Sequence, residues 1–556
     1  MPEILSLKES NCKDCYKCIR TCSVKAIRFS QSRAEIIPDE CILCGSCFVV
    51  CPQKAKQVRS DVELVRKAVS SGRRVVCSLA PSFIAEFPVS SLDDMKEALS
   101  RLGIADTEET AVGAQMVSDR YAEIMRQKKT SVLISSCCPT INLLIQKYYP
   151  DMLPYLAKVL TPMEAHCKLL KEKDPSCFTV FIGPCIAKKD EADHSSYTDA
   201  ALTYDELRAW LQSANVEIKM NELTPQSGKR ARFYPATGGV LKATDKIEGY
   251  RRVAIDGVDN CRAVFEELKS GALKNVFIEM NACEGGCING PSIREHRERR
   301  LRGALRVDSF AGDERFEIEK EPQSLSHDFA FMGTGRVSVG SSAVQEMLRK
   351  MGKTSPEKEL NCGCCGYPTC RDKAVAILQG KAQLEMCLPF LKEKAESFSD
   401  EILRNTPNAV IVMDENLTVQ QINRAAIKLL NLTGENDVLH ENIIRVLNPE
   451  PYQTAITEMR NIVGRSRYLA EYGRYIEETV IYDVQYHVVI AILRDVTERE
   501  SLRGRDEALR QRTVETADRV IDKQMRVVQE IASLLGETTA ETKLALSKLK
   551  DAMSHE

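Results

Sequence analysis

No stretch of this chain stays apolar long enough to span a bilayer. Its first residues lack the basic-then-apolar form of a signal peptide. Charge of one sign is missing too: 77 Lys and Arg against 79 Asp and Glu leave a formal net charge of −2. That balance argues against a nucleic acid or a membrane surface as partner. A Walker loop, a histidine-kinase ATP motif and a DNA-reading motif are all absent. The expectation is therefore a cytoplasmic protein with no nucleic-acid and no membrane partner. Cysteine is missing only from the end, since none of the 22 follows Cys387. So many thiols without a secretory leader point to metal rather than disulfides, in a reducing, oxygen-poor cell. At 556 residues the chain exceeds one ordinary domain, and an apolar content of 43% argues against global disorder.

What is present begins with two unbroken cysteine runs. Cys12, Cys15, Cys18 and Cys22 are followed by Cys41, Cys44, Cys47 and Cys51, both spaced x2, x2, x3. This is the bacterial two-cluster ferredoxin pattern, in which the fourth cysteine of each run serves the other cluster. The expected ligand sets for two 4Fe-4S clusters are Cys12, Cys15, Cys18 and Cys51, and then Cys41, Cys44, Cys47 and Cys22. Pro52 follows the second run, whereas Ser23 stands after the first, a change that touches turn geometry more than ligation. Two zinc sites are the competing reading, but zinc ligands usually come in separated pairs.

Further on, four short apolar runs each lead into a motif. Val75–Leu79 precedes Ala80-Pro81-Ser82, and Val132–Ile134 precedes Ser136-Cys137-Cys138-Pro139. Phe178–Ile182 precedes Gly183-Pro184-Cys185-Ile186-Ala187-Lys188, and Val276–Ile278 precedes Ala282-Cys283-Glu284-Gly285-Gly286-Cys287. Short β-branched runs bounded by turn residues read as buried strands. Chemistry in open α/β sheets gathers beyond the carboxyl ends of strands. Scattered cysteines can thus converge.

These motifs, from about Val75 to Gly290, resemble the catalytic domain of iron-iron hydrogenases. The Ala236-Thr237-Gly238-Gly239-Val240 segment is similar to one of that family's connecting elements. The resemblance implies an H-cluster, a 4Fe-4S cubane joined through one cysteine to a two-iron subcluster carrying CO and cyanide. It implies Cys138, Cys185, Cys283 and Cys287 as cubane ligands, with Cys287 as the bridge. Cys137 would relay protons, Lys188 would donate to a cyanide, and Ser82 with the backbone near Pro81 would hold another. A charge-assisted hydrogen bond suits cyanide, and heterolytic cleavage of H2 needs a base near the metal. The alternative for Cys137 is a spare buried thiol, and for Lys188 a solvated surface lysine. Cys77, Cys167, Cys177 and Cys261 fit no motif and read as buried structural thiols.

Departures from the family surround the site. Gly183 stands where many members have Met, and Glu284 where they have Pro. After the Gly113-Ala114 pair, the positions aligned with the family's carboxylate relay hold Tyr121 and Ile124, with Glu123 nearby. Such changes resemble the divergent, sensory-type branch and leave the proton exit open.

A third cysteine group follows, Asn361-Cys362-Gly363-Cys364-Cys365 through Cys370 to Cys387. It is similar to a small 4Fe-4S module with ligands Cys362, Cys365, Cys370 and Cys387, leaving Cys364 aside. A helix is expected from Arg371 to Glu385, and a zinc knuckle is the other reading. The cysteine-free region then resembles a PAS domain: a strand at Asn408–Asp414, a second at Leu417–Asn423, a helix at Ala425–Leu430, and a closing strand at His487–Leu493. Asp495-Val496-Thr497 leads into a helix. Without cysteine, this region excludes a thiol-linked flavin, and His440 and His487 read as structural. Ala517, Ile521, Gln524, Val528, Ile531 and Leu535 make a short heptad seam, suited to a dimer or to a helical hairpin. Gly536 reads as a C-cap, and Thr538 with Glu541 as a capping box.

The expected architecture is multidomain α+β and α/β. It comprises a ferredoxin-like domain (1–60), a hydrogenase-like catalytic domain (61–350), a third 4Fe-4S module (351–396), a PAS domain (397–499) and C-terminal helices (500–556). The expected function is an H2 or redox sensor that reversibly cleaves H2 to protons and electrons. A ferredoxin-like redox partner, a kinase or phosphatase, and a second copy of the chain are the expected partners. The alternative is a non-catalytic iron–sulfur redox sensor or electron carrier lacking the diiron unit.

Overall fold

Aliphatic side chains on both faces suit a parallel strand covered on both sides, and all four apolar runs are strands in the computed structural model. The structure describes residues 3–8, 11–128, 130–218, 228–293, 300–535 and 540–553. It divides into two units, Met1–Leu391 and Lys392–Glu556. In chain order the first unit contains β1 (Val75–Leu79), β2 (Asp106–Glu109), α1 (Ala111–Arg126), β3 (Val132–Ile134) and α2 (Pro139–Tyr148). There follow α3 (Pro162–Lys173), β4 (Phe178–Gly183), α4 (Ala187–Asp193), β5 (Ala200–Thr203), α5 (Gly239–Ala243), β6 (Arg251–Asp256) and β7 (Val276–Asn281).

The strands belong to two parallel sheets. One has the order β2-β1-β4-β5, the other β6-β7-β3. The motif-bearing strands are shared between them, β1 and β4 in the first, β3 and β7 in the second. Gly113 lets α1 approach α3 closely, because a Cβ there would sit 2.1 Å from the Pro162 carbonyl oxygen. Pro139 and Pro162 each occupy the first turn of their helix, where a missing N–H costs nothing.

The amino-terminal segment is built on two antiparallel pairs, Leu5–Leu7 with Lys56–Val58 and Ile27–Ser30 with Arg33–Ile36. The third cysteine module packs on it. Phe29 N donates to Lys381 O (2.8 Å), and a Cβ on Gly366 would stand 2.9 Å from Ile19 Cγ2. The helix of that module covers Cys370–Leu378, shorter than the Arg371–Glu385 expected. Gly380, at φ +70°, is the left-handed residue that ends it.

α6 (Leu388–Asn405) runs from the end of the first unit into the second. The second unit is a five-stranded antiparallel sheet of β8 (Ala409–Asp414), β9 (Val419–Ile422), β10 (Ile462–Leu469), β11 (Arg474–Asp483) and β12 (Val488–Asp495). Their order is β9-β8-β12-β11-β10. β8 and β12 alternate buried and half-buried residues, the period-two pattern of a sheet with one face on a core. α7 (Glu450–Thr457) inserts Tyr452 into that core. Thr497 starts α8 (Thr497–Leu535), its N–H donating to Asp495 Oδ1 (2.9 Å). α9 (Ala540–Met553) folds back on α8, with Lys550 and Asp518 paired at 3.1 Å. Ala517, Ile521 and Val528 of the heptad seam are half-buried, whereas Gln524 and Ile531 are exposed. Gly536 and Thr538 lie outside the described residues. No helix among the described residues is long and apolar enough to cross a membrane.

Candidate metal centre

Between the carboxyl ends of the two sheets lies a cavity of about 890 Å³. Every motif reaches it. Pro81 and Ser82 line it from behind β1, Cys137 and Cys138 from β3, Cys185 and Lys188 from β4, and Cys283 and Cys287 from β7. Ala114, Pro162, Met163 and Phe181 close much of the remaining wall with apolar surface. Gly286 adopts φ +86°, and a Cβ on it would meet the Pro235 carbonyl oxygen at 2.4 Å. Only glycine lets the Cys283–Cys287 loop lie against that backbone.

Burial pushes the Cys137 thiol up to about 12, with the Cys138 and Glu279 charges adding to it, and Cys185 likewise to about 12. The same cause, with mutual repulsion among Cys138, Cys185, Cys283 and Cys287, drives Cys283 and Cys287 well above the ordinary range. All four thiols line the same cavity. Among the described residues, no group of three or more His, Cys, Asp or Glu closes around the position of a single ion. Ligands gripping the corners of a cube stand wider apart than ligands gripping one ion. A soft, all-sulfur donor set inside a largely apolar, roomy cleft fits an iron–sulfur group.

Lys188 is buried rather than solvated. Its ammonium donates to Thr161 Oγ1 (2.9 Å) and Glu191 Oε2 (2.5 Å), leaving a third proton for the cavity. Burial works against this ammonium, yet Glu191 holds its pKa above the usual value. Behind it, burial and the Glu191 charge lift Glu164 to about 7. Ser82 Oγ lies 2.7 Å from Tyr204 OH, which donates to Ala80 O (3.1 Å). Either hydroxyl can donate in the Ser82–Tyr204 pair, which fixes Ser82 at the cavity wall.

Cys137 Sγ donates to Ser135 Oγ (3.6 Å). Tyr121, aligned with the family's carboxylate, is fully buried. Its hydroxyl accepts from Ser136 N (2.9 Å) and donates to Ser136 Oγ (3.0 Å), whose own proton goes to Val159 O. Tyr121 therefore pins the cysteine loop and carries no proton outward. Glu123 is paired with Arg120 on the surface (2.9 Å). Sequence reasoning missed Glu279, a buried carboxylate on β7. It accepts from Gly238 N (2.9 Å), Leu241 N (3.0 Å) and Asn281 Nδ2 (2.8 Å). Burial lifts it to about 7 against those three donors. Only its position two residues before Asn281 in an apolar strand could have signalled it.

The other thiols gather into three further places. Cys12, Cys15, Cys18 and Cys51 line one cavity of about 400 Å³. Cys22, Cys41, Cys44 and Cys47 form a second set, with burial and mutual repulsion raising Cys22 to about 11 and Cys41 to about 12. Cys362, Cys365, Cys370 and Cys387 line a third cavity of about 350 Å³, beside the buried Lys353 and Lys373, and Cys364 lies outside it. Cys44 also lines the large cavity, and shares with Cys283 a groove bordered by Glu284. Cys77, Cys167, Cys177 and Cys261 are fully buried. His487 is exposed and paired with Glu415 (2.8 Å), and His440 sits in a turn at φ +64°.

Four thiol sets without disulfides, one of them in a cleft between two parallel sheets, define an iron–sulfur protein. Family models name its parts. Residues 73–291 match the iron only hydrogenase large subunit, C-terminal domain, and residues 11–55 match a 4Fe-4S dicluster domain. Residues 359–389 match an Fe-S cluster family and residues 398–469 the PAS fold. The chain is a hydrogenase-like iron–sulfur protein carrying a PAS domain. It is 25% identical over 375 residues to iron hydrogenase 1 of Clostridium pasteurianum, covering 51% of this chain and 64% of that protein. To the periplasmic [Fe] hydrogenase large subunit of Nitratidesulfovibrio vulgaris it is 27% identical over 359 residues, covering 51% and 85%. A 90-residue stretch is 32% identical to the cytosolic Fe-S cluster assembly factor NAR1 of Kluyveromyces lactis, covering 16% and 19%. The chain thus spans less than two thirds of the Clostridium protein.

Proposed function

We propose that this protein is a cytoplasmic sensory hydrogenase that reversibly converts H2 to protons and electrons and reports through its PAS domain. One observation carries this reading: Cys137 and Lys188, of no use to a plain cubane, line the same enclosed cavity as Cys138, Cys185, Cys283 and Cys287. Those four cysteines would hold a cubane, with Cys287 bridging to a diiron unit. When bound, that group supplies the H2 chemistry itself. Cys137 Sγ holds a proton at the cavity wall, with Ser135 Oγ as its neighbour. Glu279, balanced near neutrality, is the buried carboxylate whose charge Cys137 feels, and it can store the next proton. Lys188 presents its remaining N–H to an anionic ligand atom, while Phe181, Met163 and Pro162 exclude water. The three accessory thiol sets would hold 4Fe-4S clusters and supply a path for electrons, Cys44 and Cys283 bordering one groove, with a ferredoxin-like carrier as redox partner. Output passes to a kinase or phosphatase, since the chain carries no kinase motif of its own.

The test is infrared spectroscopy of anaerobic protein matured with the hydrogenase assembly machinery. CO and cyanide stretching bands that disappear in Cys287→Ala are expected, and their absence after full maturation overturns the reading. A second reading has its own support. Tyr121 locks the cysteine loop where the family places a proton-carrying carboxylate, and a relative matched over a short stretch is a cluster assembly factor. A non-catalytic iron–sulfur protein predicts cluster absorbance with no such bands and no H2 turnover.

A further inference from the structure

Two lysines are buried beside the third thiol set. Lys353 is 4% exposed and Lys373 fully buried, and both line the cavity of Cys362, Cys365, Cys370 and Cys387. Their charges face the sulfurs: Lys353 acts on Cys362, and Lys373 on Cys365 and Cys387. Lys373 gives one ammonium proton to Gln383 O (2.6 Å), and two remain for the cavity. Burial lowers this ammonium to about 8 while the two thiols work to raise it, so it is charged at neutral pH. Lysine is rarely buried without a counter-charge, and the leading ones for Lys373 are these two thiols, ahead of Glu385.

The other two accessory sets are furnished differently. Lys56 is buried on the wall of the Cys12 cavity, but its ammonium goes to Ala34 O, and Lys13 and Lys17 on the same wall are exposed. Beside the Cys22 set, the half-buried Lys25 donates to Ile19 O and Arg20 O (both 3.0 Å). The half-buried Lys147 donates to Pro38 O (3.1 Å) and Cys41 O (2.8 Å). Exposure does not separate the first set from the third, since Cys15 and Cys362 are both exposed. The third set also adjoins the others, because Cys18, Cys22, Cys47 and Cys365 belong to one apolar cluster with Tyr367. Electrons can therefore settle among the three sets according to their potentials.

One electron turns a four-thiolate cubane from a dianion into a trianion, with no bond or proton exchanged. Fixed positive charge at the sulfurs therefore favours the reduced state. We propose that Lys353 and Lys373 make the Cys362, Cys365, Cys370 and Cys387 set the electron sink among the three accessory sets, the first of them to be reduced. The inference rests on the proposed cluster occupancy of these thiols and needs no diiron unit. Electrons released from H2 then collect at the set whose last ligand, Cys387, directly precedes α6.

Anaerobic dithionite titration of the full chain, followed by electron paramagnetic resonance, tests this. The signal lost in the double variant Cys370→Ala with Cys387→Ala, together with the matching fall in iron, marks the third cluster. In the wild type that signal is expected at the highest midpoint potential of the three accessory clusters. Lys353→Gln and Lys373→Gln should each make it at least tenfold harder to reduce, about 59 mV for one electron, with iron content and the other signals unchanged. Lys353→Arg keeps the charge and should hold the wild-type midpoint. Should Lys373→Gln lose iron, Lys353→Gln reads the effect by itself. A third signal that appears after the others, or a midpoint unmoved in Lys353→Gln, overturns this inference alone. Iron content unchanged by the double cysteine variant overturns the cluster reading beneath it as well.

Discussion

Cys138, Cys185, Cys283 and Cys287 were legible one by one because local spacing within each motif marks a ligand, whatever the fold around it. Their neighbours were not. Tyr204 bonds Ser82 across 122 positions of chain, and Glu279 caps α5 from a different sheet strand. No local pattern announces contacts of that range. Glu279 also makes a pH prediction. Its folded pKa lies near 7, above the ordinary 4.5, so the unfolded chain ionises it first as pH rises. Folded stability should therefore fall across that window and level off above it. Glu279→Gln cannot ionise, so the variant should gain on the wild type between about pH 5 and about pH 8, by up to about 3 kcal/mol. Chemical denaturation of both proteins across that range checks it, and parallel curves would show that the carboxylate does not titrate there.

Among elements, the strands behind the motifs were readable from runs of β-branched and aliphatic residues. Their division into two sheets was not, since which strand pairs with which is decided by contacts far apart in sequence. The helix after Cys370 ends at Leu378, short of the expected Glu385, because Gly380 takes the left-handed conformation just past it. Two predictions belong here. Gly113→Ala drives a methyl into the Pro162 carbonyl and should force α1 from α3, costing about 1–3 kcal/mol and lowering the melting temperature. In the sensor sheet, Glu478 on β11 is fully buried, accepting from Tyr452 OH (2.8 Å) and Arg467 Nη2 (3.0 Å). Glu478→Ala leaves that half-buried guanidinium without its carboxylate, a loss on the order of 1–3 kcal/mol. Selective melting of the second unit, followed by circular dichroism, is the readout. Glu478→Leu combined with Arg467→Met should recover most of the loss, because a packed apolar pair needs no partner charge.

At the scale of the whole molecule, the order of parts could be read from where cysteine stops, but their contacts could not. Glu40, next to Cys41, is buried and accepts from Lys381 of the third module (2.6 Å) and from Arg336 (2.7 Å). This carboxylate ties the amino-terminal segment to residues more than 290 positions away. Glu40→Ala should loosen the third module, seen as faster loss of iron to a chelator from that site, with the cavity between the sheets unaffected. Equal rates in both proteins would place the tie elsewhere.

The cleft between the two parallel sheets carries one more consequence. Cys185 follows a strand of the four-stranded sheet, whereas Cys138, Cys283 and Cys287 follow strands of the three-stranded one. Any inorganic group gripped by all four is a rivet across the seam between half-domains. Bare protein can therefore open along that line, and loaded protein must tear the rivet first, so filling the cleft converts stepwise melting into a single cooperative event.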